Sequence, residues 1–305
     1  MKGTNQLIMR KRFLVIPFIV LFGCKDVSDN DLSKNGLLSS VHHSQTNILQ
    51  NLDYAIVYDA EGNVHSINDT VYIYGSNGKI SSSRFSYNED KADGYSYEKE
   101  ILKSYKWDAH NRIVEIKVDK SLQLSTSPEG GVLESNPSPY VEAYFYYTAS
   151  NHLPDSIGNE EFNNKIVTNK IFVHNGANIL KEETVSEYYH YSNANMVAKR
   201  YISQNKEFQY GNSKNYLYPL FVKMGVLPRG LGYIISKDAP SYYESSQYFY
   251  ESGFNGGEMK EVYREQVEIL YNITSNGYPS RVNNNVKFNQ KGMTGTYSYY
   301  LNLYY

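Results

Sequence analysis

Val71-Tyr72-Ile73-Tyr74-Gly75-Ser76-Asn77-Gly78-Lys79-Ile80-Ser81-Ser82-Ser83-Arg84-Phe85-Ser86-Tyr87 contains one full unit of the pattern from which this chain is built. An alternating aromatic and β-branched run enters a turn at Gly75 to Gly78, and a second alternating run leaves it. Period-two apolar spacing around Asn-Gly punctuation predicts a β-hairpin. The same spacing recurs: an aromatic or apolar residue, three turn residues, Gly or Asn, then a hydrophobe two positions on. It returns at Tyr58 to Val64, Trp107 to Ile113, Tyr147 to Leu153, His174 to Leu180, Tyr191 to Val197 and Ile273 to Pro279. A short hairpin loop needs a left-handed residue near its end, which Gly and Asn adopt at least cost. The hydrophobe two places later restarts the inward face of the return strand.

Seven such hairpins imply on the order of 14 strands in an all-β fold: a long antiparallel meander, either a curved open sheet or barrel-like. The copies are unevenly spaced, so a strict solenoid is excluded. Three polar segments read as loops between them: Glu89 to Lys99, Ser125 to Pro139 and Ser203 to Asn215. Residues 203–260 read as a non-repeat insertion. Within it, Tyr216 to Leu227 is apolar without period two, the profile of a short helix or a buried crossing segment; the region either plugs or caps the sheet or is merely a long connection. The last ten residues form an aromatic strand, one face of which presents Tyr297, Tyr299, Leu301, Leu303 and Tyr305.

Composition and the N-terminal stretch indicate an address. Lys2, Arg10, Lys11 and Arg12 precede ten apolar residues, Phe13 to Phe22, too few to span a bilayer as a helix. The 305-residue chain holds 30 Lys and Arg against 32 Asp and Glu, so the body beyond these four has 26 against 32. Such an acidic body without a basic stripe excludes nucleic acid as the natural partner. Leu21-Phe22-Gly23-Cys24, holding the single cysteine of the chain, resembles the lipobox of bacterial lipoproteins, with Phe22 larger than the usual second residue. That resemblance implies cleavage before Cys24, acylation of its thiol, and attachment to the membrane through an N-terminal lipid anchor. More than one acyl chain is what stable anchoring takes. Residues 1–23 are thus expected to be a lipoprotein signal peptide, 24–50 a flexible Ser/Asn/Gln-rich tether, and 51–305 a Tyr-rich antiparallel β domain. The acidic cluster after Cys24 is similar to export signals of Gram-negative lipoproteins, which implies an outer-membrane location, on the periplasmic or cell-surface face.

The Tyr-before-turn hairpins resemble YD-type (Rhs-like) repeats. The chain from residue 51 onward, with its lipobox, is similar to uncharacterised Gram-negative bacterial lipoproteins with a porin-like β fold. That resemblance carries no activity or site residue over to this chain.

The sequence is poor in chemistry. It contains no G-x-S-x-G elbow, H-E-x-x-H, C-x-x-C, P-loop or G-x-G-x-x-G. The seven histidines lack metal-ligand spacing, and no cofactor, metal site or catalytic residue is expected. Glu98 with Glu100, and Glu182 with Glu183, are the weak candidates for paired glycosidase carboxylates. Tyr144, Tyr146, Tyr189, Tyr191, Tyr248 and Tyr250 form the candidate aromatic surface for a glycan or an envelope protein. Cross-strand Tyr ladders that merely stabilise the sheet are the competing explanation. The expected function is therefore a lipid-anchored, non-enzymatic envelope module that binds or scaffolds. An integral outer-membrane β-barrel and a glycan-active enzyme are the alternatives. A mean hydropathy of −0.56 favours a wall facing water over one facing lipid.

Overall fold

The computed structural model describes residues 37–43, 53–148, 152–161, 166–192, 196–251, 260–275 and 277–305. Cys24, the expected signal peptide and most of the expected tether lie outside them. Seventeen strands occur among the described residues. The first nine are β1 (Ser40–His43), β2 (Tyr54–Tyr58), β3 (Val64–Ile67), β4 (Thr70–Tyr74), β5 (Ile80–Asp90), β6 (Ser96–Trp107), β7 (Ile113–Thr126), β8 (Val132–Ser135) and β9 (Tyr140–Tyr146). They continue with β10 (Ser156–Glu161), β11 (Ile166–His174), β12 (Ile179–Ser192) and β13 (Met196–Lys214). After helix α1 (Tyr218–Met224) come β14 (Asp238–Glu251), β15 (Lys260–Ile273), β16 (Pro279–Gln290) and β17 (Met293–Tyr304).

Each strand from β2 to β7 pairs antiparallel with the next, and β7 passes the pairing to β9. From β9 the meander runs unbroken to β17. β1 then lies between β17 and β2, antiparallel to both. The sheet is therefore a closed barrel of sixteen strands, with β8 standing beside the ring as a hairpin partner of β7. Closure removes the exposed strand edges of an open meander. The expected tether to residue 50 is corrected here: Ser40–His43 is the strand that shuts the ring.

The repeated motif marks chain reversals. At 59–63, 75–79, 108–112 and 274–278 the first turn residue donates its N–H to the fifth residue's carbonyl, and the fourth donates to the first. The fourth residue is left-handed each time: Gly62 (φ 77°), Gly78 (72°), Asn111 (64°) and Gly277 (80°). The 174–180 copy differs, because its left-handed residue is Gly176 (φ 88°) and not Asn178, whose side chain instead bonds Asp238. In an up-and-down ring, alternate turns share a rim. Six of the seven copies fall on one rim; the Tyr191 to Val197 copy falls on the other, with residues 193–195 outside the described ones.

Along the first rim a Tyr or Trp at a strand end has a second task. Tyr74 Oη donates to the carbonyl of Val64 (3.1 Å), Trp107 Nε1 to that of Ile80 (2.8 Å), Tyr147 Oη to that of Ile113 (3.0 Å) and Tyr305 Oη to that of Pro279 (2.9 Å). Each acceptor is the residue that restarts the strand after the preceding motif turn. Tyr210 makes the same bond to Ile179, and Tyr58 (to Leu38) and Tyr271 (to Pro240) extend the series. The motif thus laces neighbouring hairpins together. Removing one donor strands a part-buried carbonyl, so Tyr147→Phe is expected to cost about 1–2 kcal/mol in urea unfolding. Tyr146→Phe, on the outer wall one residue away, is expected to cost less than about 0.5 kcal/mol.

The core lies inside this rim. Leu217, Leu220, Phe221, Met224, Val226, Leu227 and Tyr233 pack against Ile56, Val64, Ile80, Ile113, Ile116, Phe145 and Ile157 of the wall. Pro219 near its start and left-handed Gly225 after its end bound α1 as the sequence dictates. The interruption of the meander is narrower than 203–260, since β13 and β14 are paired strands and only residues 215–237 depart. The three expected loops are strands too. Glu89 to Lys99 and Ser125 to Pro139 extend β5 to β8 through turns of the same build at 91–95 and 127–131, and Ser203 to Lys214 belongs to β13. Water reaches both faces of much of the first two extensions, which removes the alternation that would have marked them.

Candidate binding site

Strand alternation sorts the side chains into a lumen face and an outer face. Phe208, Tyr243, Val267, Val286 and Tyr297 are successive cross-strand partners on the lumen face. The next row along, Lys181, Glu207, Glu244, Gln266, Lys287 and Thr296, is on the outer face. So are Glu183, Asn205, Ser246, Arg264, Asn289 and Thr294. On β17 the inward set includes Tyr297, Tyr299, Leu301 and Leu303, the aromatic face read from the sequence, and the outer set is Thr294, Thr296, Ser298, Tyr300, Asn302 and Tyr304.

Above the plug, between it and the wall of β4 to β7 and β9, lies a cavity of about 310 Å³. Its floor is made by Met224, Val226 and Leu227, and apolar wall area comes from Phe85, Ile101 and Ile116. Lys99, Lys103 and Arg229 bring positive charge to it, against the single acid Glu142. Lys103 Nζ donates to Glu142 at 2.6 Å. Tyr105 and Ser83 share a hydroxyl bond at 2.9 Å. Burial pushes the Tyr105 phenol up to about 12, and raises Tyr72 and Tyr233 as well, so all three are neutral donors at physiological pH. The Glu142 carboxylate raises Tyr233 further, by its charge and as a nearby acceptor, but Tyr233 Oη stays short of full hydrogen-bond geometry with it and is buried with no well-formed hydrogen bond among the described residues. Tyr233 itself is 7 % exposed.

A second polar cluster lies in the lumen on β11 to β13. Glu182 accepts from Lys170 (3.0 Å) and from Thr184 (3.2 Å), and it is the register partner of Lys206. Burial pushes its carboxyl up, but the two ammonium groups and the two bonds outweigh this and hold it below the ordinary value of 4.5. A depressed folded value means stability that is complete above the unfolded value and lost as pH falls through the folded one. Melting temperature is therefore expected to fall with acidification below about pH 4.5, and Glu182→Gln to flatten its share of that decline.

The carboxylate candidates are placed differently on the wall. Glu182 faces the lumen and Glu183 the outer wall, as adjacent strand residues must. Glu100 is held on the outer wall by Arg84 (2.8 Å) and Lys120, while Glu98 is exposed two residues away. The candidate aromatic surface divides into two patches. Tyr144 and Tyr146 are on β9 near the plugged rim, Tyr146 at 55 % exposure. Tyr189 and Tyr191 on β12, and Tyr248 and Tyr250 on β14, flank β13 towards the opposite rim; the side chains of Tyr189, Tyr191 and Tyr250 are outside the described residues. The cavity residues were missed because Lys99, Glu142 and Tyr233 are far apart in the chain. One signal was available: in Tyr97-x-Lys99-x-Ile101-x-Lys103-x-Tyr105 the two lysines are in phase with the inward hydrophobes.

No protein-family model matches the chain, and no curated protein matches it. Two solved structures are similar to it: a porin-like protein from Bacteroides uniformis, at 10 % identity and a TM-score of 0.35, covering 88 % of this chain and 97 % of that one; and a porin-like protein from Bacteroides vulgatus, at 11 % identity and a TM-score of 0.39, covering 88 % and 98 %.

Proposed function

We propose that the chain is a non-catalytic, lipid-anchored protein of the outer membrane whose barrel stands outside the bilayer and holds a ligand in its lumen. The observation that carries this reading is the inversion of polarity across the wall. A membrane barrel needs an apolar outer band about 25 Å tall, and a Lys or Arg at mid-depth costs about 2–4 kcal/mol. Here the outer rows through Lys181, Glu207, Arg264 and Lys287 are polar from strand to strand, while the apolar side chains fill the plugged interior. The described chain enters at the plugged rim, where Ser39 N–H bonds Tyr304. Thirteen residues lie between Cys24 and Leu38, so an acylated Cys24 would hold this rim within at most about 50 Å of the membrane.

A second reading, an integral outer-membrane barrel, is favoured by the closed sixteen-strand ring and by exposed Val57, Val71, Ile73, Ile171, Val173, Leu270 and Ile273 near the plugged rim. Cys24→Ala with cell fractionation separates the two. Release into the soluble periplasm is expected from an anchored barrel; retention in carbonate-washed membranes would establish the integral one.

A further inference from the structure

We propose that the cavity between the plug and strands β4 to β7 binds a small amphiphile with a carboxylate head and a short apolar body. The proposal deepens the lumen-binding reading and takes from it that the ligand is held and not converted; it does not depend on the lipid anchor.

The volume of about 310 Å³ is at the lower end of small-molecule sites, equivalent to about ten waters. The polar groups in the cavity are mainly donors. Lys103 is engaged by Glu142, which leaves the Lys99 ammonium without an acid partner at the cavity wall. Tyr233 Oη is buried beside the Glu142 carboxylate and makes no well-formed hydrogen bond among the described residues, so its donor capacity is poorly used. Both groups gain from an acceptor carrying negative charge, and a cationic ligand would meet two lysines and Arg229. The rest of the ligand is specified by the floor and wall: Phe85, Ile101, Ile116, Met224, Val226 and Leu227 offer apolar contact and no hydrogen bonds from their side chains. A sugar, with hydroxyls on every side, would leave most of them unpaired there. An anionic head among the donors of the cavity wall, Lys99 and Tyr233 included, with an apolar body on the plug, satisfies both halves.

The probes are hexanoate and hexan-1-ol, which share a chain and differ at the head. The full chain in phosphatidylcholine nanodiscs is titrated with each by calorimetry, with empty discs as the blank. Hexanoate is expected to bind at least about tenfold more tightly than hexanol, since hydrogen bonds to a charged group are the stronger kind. Lys99→Gln and Tyr233→Phe are each expected to erase most of that preference while leaving hexanol unchanged, with near-UV circular dichroism confirming the fold. Equal affinities for the two probes, no hexanoate binding, or full preference in both folded variants would overturn the proposal. Recovery of chemically altered hexanoate would instead overturn the non-catalytic reading.

Discussion

Gly225→Ala is expected to destabilise the barrel by about 3 kcal/mol and to lower its melting temperature by roughly 6 °C. Two separate costs meet at this residue. Gly225 ends α1 in the left-handed region (φ 73°), with its N–H on the Phe221 carbonyl at 2.7 Å, and an L-residue there costs about 1–2 kcal/mol. A Cβ built on it would also lie 2.4 Å from Trp107 Cη2 and 2.7 Å from Cζ3. The indole cannot step aside freely, because Nε1 is tied to the Ile80 carbonyl and Lys79 lies over the ring at 5.0 Å. Overpacking of this kind adds about 1–3 kcal/mol. Gly78→Ala supplies the control: its φ is 72°, and nothing lies within 4 Å of the added atom. It should show the backbone cost alone. If the two variants melt together, Trp107 does not pack on the helix end and the plug is not seated as described.

The legibility of the chain divides along the same line between backbone and interior. Turn chemistry is local: Gly62, Gly78, Asn111 and Gly277 announce their reversals within five residues, and the spacing to Val64, Ile80, Ile113 and Pro279 places the return strands. Closure is not local. It depends on Ser40–His43 finding both β17 and β2, and four residues embedded in a polar stretch give no periodic signal. The extensions beyond the second rim were unreadable for a related reason, since a strand wetted on both faces has no apolar phase. Tyr was legible as a sheet former but ambiguous in purpose. The Tyr that end strands at the plugged rim, Tyr74, Tyr147 and Tyr305, have a purpose the sequence did not announce: their hydroxyls bind the backbone of the neighbouring hairpin. The cavity required three distant segments to meet, and only the phase of Lys99 and Lys103 within β6 pointed inward.

Val267→Asp is expected to be the most damaging single substitution in the wall, costing about 4 kcal/mol or more at neutral pH. Val267 is fully buried, with Tyr243 and Val286 as its cross-strand partners, and Glu265 shares its face two residues away. A carboxylate there would be desolvated with no cation as its neighbour in that row, and unpaired buried charge is among the few causes of losses this large. The loss should shrink on acidification, because protonation removes the charge, and urea midpoints at pH 7 and pH 5 would register that sign. The adjacent residue supplies the reciprocal test. Glu268 lies on the outer face between Tyr242 and Asn285, and is exposed. Glu268→Val in a wall bathed by water should change stability by no more than about 0.5 kcal/mol. In a wall bathed by lipid the same change removes a charge from hydrocarbon and should stabilise the fold. A large loss at 267 with a neutral result at 268 fixes which face is dry and what solvent meets the other; a stabilised Glu268→Val barrel would favour the integral outer-membrane reading over the anchored one.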